Sequence, residues 1–244
     1  LKYAPNQIIS GNCMEILKDI PDNTIDLIVT DPPYKVSQTY GGGVDADNLI
    51  GIASIMRTLP EMGRVLKRGH FAVICYDNRI LPFLFEAVKD SELVYRNQIF
   101  LYRRWGQANR WMGWMRCTDP ICFFVKGTDK PFYATEVKAK VRHDCFIKKS
   151  PEQDDTGHPA QKPLELMKDI IQWCSDENDL VLDPYSGSGT VCKAAKLLNR
   201  KYLGIEIQQK YVSQSAERIA NAKGTLESYL FQTDGNKATE KAQT

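Results

Sequence analysis

Asp31-Pro32-Pro33-Tyr34 places a carboxylate, two ring-locked residues and a phenol directly after Ile25-Asp26-Leu27-Ile28-Val29-Thr30. That β-branched apolar run reads as a short buried strand. In open α/β sheets, ligands bind beyond the carboxyl ends of the strands, so the tetrapeptide is well placed for a site. Proline fixes the backbone and lacks an N–H, which leaves rigid carbonyls free to accept hydrogen bonds. Together these groups suit a planar amino group: Asp31 and the Pro32 carbonyl accept its two hydrogens, and Tyr34 stacks on its ring. The plain alternative is a strand-ending turn, because Asp-Pro commonly starts one.

A second strand, turn and helix junction is spelled Asp183-Pro184-Tyr185-Ser186-Gly187-Ser188-Gly189-Thr190. Gly187 and Gly189 let the backbone pass close to a ligand, and Thr190 is expected to cap the following helix. About twenty residues further on, Glu206 ends another strand, where a carboxylate suits the ribose hydroxyls of a nucleoside cofactor. The spacing is not G-x-G-x-x-G, since Cys192 occupies the third position, and no G-x-x-x-x-G-K-[ST] loop exists. A phosphate-binding dinucleotide site is therefore disfavoured.

These junctions need a scaffold. Short apolar strands are predicted at 25–30, 71–76 (preceded by a turn at Lys67-Arg68-Gly69), 97–102, 121–125, 180–183 and 202–206. Helical periodicities run over 52–66, 81–89, 164–174, 190–198 and 208–220. Strands alternating with amphipathic helices indicate an α/β fold with a mostly parallel sheet. Val36 to Asn48, with Gly41-Gly42-Gly43, reads as a loop, as does the polar stretch from Lys148 to Gly157.

The chain of 244 residues is 43% hydrophobic and 25% charged, enough apolar surface for a packed core. Its net charge of +2 means that any nucleic-acid surface must come from local clustering. No apolar run approaches a membrane span, and the first residues carry no signal-peptide core. Seven cysteines with no C-x2-C pair and only three histidines offer no zinc pattern, so no metal is expected. Unpaired thiols point to a reducing, cytoplasmic setting.

The two junctions resemble the amino-directed DNA methyltransferases that use S-adenosylmethionine. Asp31-Pro32-Pro33-Tyr34 is similar to their catalytic motif, and Asp183 to Gly189 to their cofactor loop, with Tyr185 where Phe is usual. His158-Pro159-Ala160-Gln161-Lys162-Pro163 resembles the segment before the cofactor loop that lies over the methionine moiety. Ser10-Gly11-Asn12-Cys13 resembles the segment touching the adenine, although the family more often has Asp at position 12. The catalytic motif precedes the cofactor loop, the order of the β group. The resemblance, over about residues 8–220, implies a Rossmann-like methyltransferase fold with a small recognition insertion.

It implies a catalytic half at about 8–96, an insertion at about 97–150, a cofactor-loop half at about 156–220 and a polar tail over 221–244. It also implies cofactor contacts from Asn12, Cys13, Asp31, His158, Gln161, Lys162, Asp183, Tyr185, Ser186, Gly187, Ser188, Gly189, Thr190 and Glu206. Lys162 either meets the cofactor carboxylate or ends a loop ahead of the helix that begins at Pro163; the motif favours the first.

Arg96 to Arg116 holds five arginines, three of the four tryptophans and no acid. Arginine suits phosphates and guanine edges, and aromatic rings suit base stacking. Val137 to Lys149 adds five basic residues against one acid. The null case for both is a solvated basic face with core tryptophans. Because the β group carries its recognition region here, DNA contact is expected from Arg103, Arg104, Trp105, Arg110, Trp111 and Arg116.

The implied reaction is methylation of the exocyclic N6 amino group of an adenine flipped from double-stranded DNA. Asp at position 31 favours adenine over cytosine N4. A homodimer and a cognate restriction endonuclease are further partners of this family. No proline is followed by Cys, which removes the cytosine-C5 chemistry. The rivals are N4-cytosine methylation, methylation of RNA or a protein glutamine amide, and a catalytically silent DNA-binding subunit.

Overall fold

Strand β2 (Ile25–Thr30) is buried at all six positions rather than at alternate ones. Such a strand must be covered on both faces. The computed structural model describes residues 2–33, 46–108, 115–128, 130–133, 143–147 and 162–222, with backbone only for 46–51, 79, 103–108, 115 and 116. Among these residues one sheet holds eight strands: β1 (Gln7–Ser10), β2, β3 (Leu66–Cys75), β4 (Leu93–Ala108), β5 (Met115–Lys126), β6 (Cys145–Ile147), β7 (Leu180–Asp183) and β8 (Lys201–Glu206). Their spatial order is β1-β8-β7-β2-β3-β5-β4-β6. Five pairings are parallel, and only β3 with β5 and β5 with β4 are antiparallel. The predicted mostly parallel α/β fold is present.

Side chains of one strand alternate between the two faces, and the packing follows that period. Ile28 of β2, Ala72 and Ile74 of β3 and Leu182 of β7 pack with Leu17, Ile55, Leu59, Met62 and Leu84. These belong to the side of α1 (Cys13–Ile16), α2 (Ala46–Val65) and α3 (Leu81–Val88). Leu27, Val29, Val73, Cys75 and Val181 face the opposite layer, from α4 (Leu164–Cys174), α5 (Thr190–Leu197) and α6 (Gln209–Ala220). In α4 the buried residues Leu166, Met167, Ile170, Ile171 and Cys174 form one helical stripe, as its sequence periodicity predicts.

Several boundaries differ from the sequence expectation. Helix α2 starts at Ala46, inside the expected loop, and ends at Val65. The expected turn Lys67-Arg68-Gly69 is strand β3, not a break before it. Lys67 Nζ donates to Asp26 Oδ1 at 2.5 Å, and Asp26 Oδ2 accepts from Leu180 N–H at 2.9 Å. One carboxylate thus ties three neighbouring strands together, and a shift in the β2–β3 register accommodates the extra residues. Strand β4 is far longer than 97–102, and β1 and β6 have no counterpart among the predicted strands.

Candidate active site

Four strands that are neighbours in space, β1, β8, β7 and β2, run parallel and end on the same edge of the sheet. Beyond those ends lie Asn12, Glu206, Asp183 and Asp31. Three strand gaps span about 14 Å, the reach of a nucleoside with an extended side arm. Sequence spacing places each residue at a strand end; the sheet order sets them in one row.

At the β2 end, the Thr30 hydroxyl donates to Asp183 Oδ1 at 2.8 Å and joins the two motifs across the sheet centre. Asp31 follows. Its Oδ2 accepts from Lys162 Nζ at 2.5 Å, and its Oδ1 is buried with no hydrogen-bond partner among the described residues. Pro32 is buried and Pro33 exposed. Tyr34 lies outside the described residues, as do His158 and Gln161. Lys162, assigned above to the cofactor carboxylate or a loop end, binds the acid of the other motif.

At the β7 end, Asp183 is 3% exposed and accepts from Thr30 and from Tyr185 N–H at 3.1 Å on the same oxygen. Burial pushes its carboxyl up to about 7, and the negative charges of Asp31 and Glu206 add to the shift. The two hydrogen bonds oppose it. The protonated form is therefore favoured in the fold, and its stabilising contribution is full below the unfolded value of 3.8 and lost as pH rises to about 7. Urea midpoints measured from pH 4 to 7 should fall more steeply for the wild type than for Asp183→Asn. Equal slopes would remove Asp183 as the source.

The loop after Asp183 is held from below. Ser186 N–H donates to Ile205 O at 2.9 Å, Gly189 N–H to Ser186 O at 2.8 Å, and Gly187 N–H to Glu206 Oε2 at 2.9 Å. Glu206 Oε1 accepts from Gln208 N–H at 2.8 Å, so the carboxylate is oriented by two backbone donors. Gly187 and Gly189 both have left-handed backbones, with φ of 49° and 75°. Among the described residues, a Cβ on Gly187 would meet nothing nearer than Tyr185 O at 3.9 Å, whereas one on Gly189 would strike Ser215 Cβ at 2.8 Å. The first glycine borders open space and the second is packed against α6. The Ser186 hydroxyl turns inward, 3.8 Å from Cys192 Sγ.

Thr190 does not cap α5, contrary to expectation. Gly189 holds the cap position, and the Thr190 hydroxyl, one residue too late, accepts from Arg218 Nη1 at 3.2 Å. Arg218 also donates to Ser188 O at 3.1 Å. Asn12 caps α1, its Oδ1 accepting from Met14 N–H at 3.0 Å, beside the Ser10 and Glu206 pairing. Cys13 is buried, and burial raises its thiol. The Tyr185 hydroxyl lies 2.7 Å from Ser54 Oγ and 2.9 Å from Thr58 Oγ1, both on α2.

Thr30, Ser54, Thr58 and Arg218 escape sequence reasoning. Tyr185 carries a signal for Ser54 and Thr58 alone, because a buried phenol in a position usually held by Phe must find polar partners.

The backbones of Arg103, Arg104 and Trp105 lie in β4, and Arg116 of β5 is the register partner of Gln107. These four therefore sit on one antiparallel ribbon. Trp111 and Arg110 lie outside the described residues. Among the described residues no group of three or more His, Cys, Asp or Glu side chains could hold a metal, and no helix is long and apolar enough to cross a membrane.

A family model described as DNA methylase matches residues 25–217. The type II methyltransferase M.HinfI of Haemophilus influenzae is 32% identical over 89% of this chain and 69% of its own length. The DNA adenine methyltransferase YhdJ of Escherichia coli K12 is 29% identical over 87% of this chain and 82% of its own. Among solved structures, the M1.HpyAVI complex with S-adenosylmethionine superposes with a TM-score of 0.68 at 26% identity, covering 88% of this chain and 98% of the other.

Proposed function

Because this chain belongs to the N6/N4 DNA methylase family, we propose that it transfers the methyl group of S-adenosylmethionine to N6 of an adenine flipped out of double-stranded DNA. The observation that carries this reading is Asp31: one carboxylate oxygen is bound by Lys162, and the other is buried and unpartnered. A buried acceptor left open at a strand end is costly unless something arrives to use it.

The cofactor fits the residues present. Gly187 borders open space where any side chain would intrude, and Glu206 is oriented beside it for ribose hydroxyls. The Glu206 carboxylate adds negative charge at the strand ends, which suits a ligand carrying sulfonium and ammonium charges. When bound, S-adenosylmethionine supplies a methyl group activated by the sulfonium.

The chain prepares the nucleophile. The amino lone pair of adenine is delocalised into the ring. Asp31 Oδ1 and the Pro32 carbonyl accept the two N–H bonds and draw that pair onto nitrogen, with Tyr34 against the base. Bound S-adenosylmethionine would supply the methyl group to that nitrogen, its sulfur leaving as the neutral thioether, and the surplus N–H proton would pass to water. Positioning and electrostatics supply the acceleration, with no covalent enzyme intermediate. Adenine is favoured over cytosine by Asp at position 31 and by the likeness to an adenine methyltransferase. The β4–β5 ribbon, with Arg103, Arg104, Trp105 and Arg116, contacts the duplex in this reading.

The test is transfer of labelled methyl from S-adenosylmethionine to mixed genomic DNA, followed by nucleoside analysis. Label in N6-methyladenine is expected. Label in N4-methylcytosine would keep the mechanism and replace the base. Folded, cofactor-binding protein that labels no DNA would overturn the proposal.

A further inference from the structure

The geometry points to Lys162 as a positioning residue for methyl transfer: it fixes the Asp31 carboxylate through Oδ2 and leaves Oδ1 as the acceptor for the target amino group. The inference rests on the role given to Asp31 above.

Lys162 reaches Asp31 from a fixed base. Its side chain is 5% exposed, against 28% for Asp31. It precedes Pro163, which opens α4, and the buried stripe of α4 packs in the same cluster as Leu27 and Val29 of β2. The ammonium and the strand that ends in Asp31 are thus parts of one packed layer, and Nζ has little freedom to wander.

Asp31 needs such a constraint. Two single-bond rotations separate its carboxylate from the backbone, and both oxygens are chemically equivalent. A charged amine binding one oxygen at 2.5 Å breaks the equivalence and sets the plane in which the other accepts. An ammonium has three N–H bonds, so a second acceptor remains compatible with this bond.

Single-turnover methyl transfer and cofactor affinity should be compared for wild type, Lys162→Met, Lys162→Arg and Lys162→Ala with added methylamine. Lys162→Met should slow transfer by about 100-fold, the scale of a misplaced reacting group, with cofactor affinity held within about threefold. Arginine should recover part of the rate, and methylamine should restore Lys162→Ala in a saturable way. An unchanged rate in Lys162→Met overturns the inference. So does a rate loss that saturating cofactor repairs, which would assign Lys162 to the cofactor.

The pair is also read without catalysis. The effects of Asp31→Asn and Lys162→Met on the urea midpoint should be non-additive in the double variant. Additive effects overturn the pairing. A wild type that binds cofactor but methylates no DNA would overturn the proposed function, and the double-mutant cycle would then decide the pairing alone.

Discussion

Asp31→Ala will slow methyl transfer by about 1000-fold or more, the upper range for removing a preorganised electrostatic group, and will leave cofactor affinity nearly unchanged. Both halves of the result follow from the same geometry. In the proposed reaction the buried, unpartnered Oδ1 accepts from the target amino group, and alanine removes it together with Oδ2. The loop after Asp183, proposed to carry the cofactor, is held by Ile205, Glu206 and the Thr30–Asp183 bond, none of which passes through the Asp31 side chain. The variant also deprives the buried Lys162 of a charged partner, so a loss of about 2 kcal/mol in stability should accompany the lost activity. Rapid-quench transfer, isothermal titration with cofactor and urea denaturation measure the three quantities. Transfer within tenfold of wild type would remove Asp31 from the chemistry.

Gly187→Leu will do the reverse, weakening cofactor binding by at least about 100-fold, about 2.8 kcal/mol, while the protein stays folded. The Cβ direction at Gly187 opens onto space with its nearest neighbour at 3.9 Å, so the leucine fills the cradle rather than the core. Its left-handed backbone, at φ 49°, adds a local cost of about 1–2 kcal/mol for a residue with a Cβ. Gly189→Ala is the control. Its single methyl would strike Ser215 and press on Ile219, so it should cost about 1–3 kcal/mol of stability, read as a lower urea midpoint. Unchanged affinity in Gly187→Leu would withdraw the loop from the cofactor site.

How far the sequence could be read depends on whether the relevant force is local. Strand β2 and helix α4 are legible because burial imposes a period or an apolar run on consecutive residues. Both motifs sit at strand-to-turn junctions, so their position at the sheet edge is legible too. The loss begins where a contact spans the chain. Strand β1 is four residues long and partly exposed, and only its parallel partner β8 makes it a strand. Lys67-Arg68-Gly69 looks like a turn because its polarity is visible and its partner Asp26 is not. Lys162 reads as a cofactor ligand because its neighbours in sequence belong to that motif, while its ionic partner lies at the end of a strand from the other half. Thr190 reads as a cap because the left-handed Gly189 that displaces it cannot be inferred from composition.

The strand order has a consequence in time. Leu27 of β2 pairs with Val181 of β7, and Gln7 of β1 pairs with Leu203 of β8. A chain emerging from the ribosome therefore exposes the unsatisfied edge of β2 until the cofactor half has been made, and β1 until nearly all of it has. Such long-range closure slows folding and lengthens exposure to wrong partners. The Thr30–Asp183 bond forms only after that closure. The two motifs therefore cannot stand on one sheet edge until the last parallel strands dock.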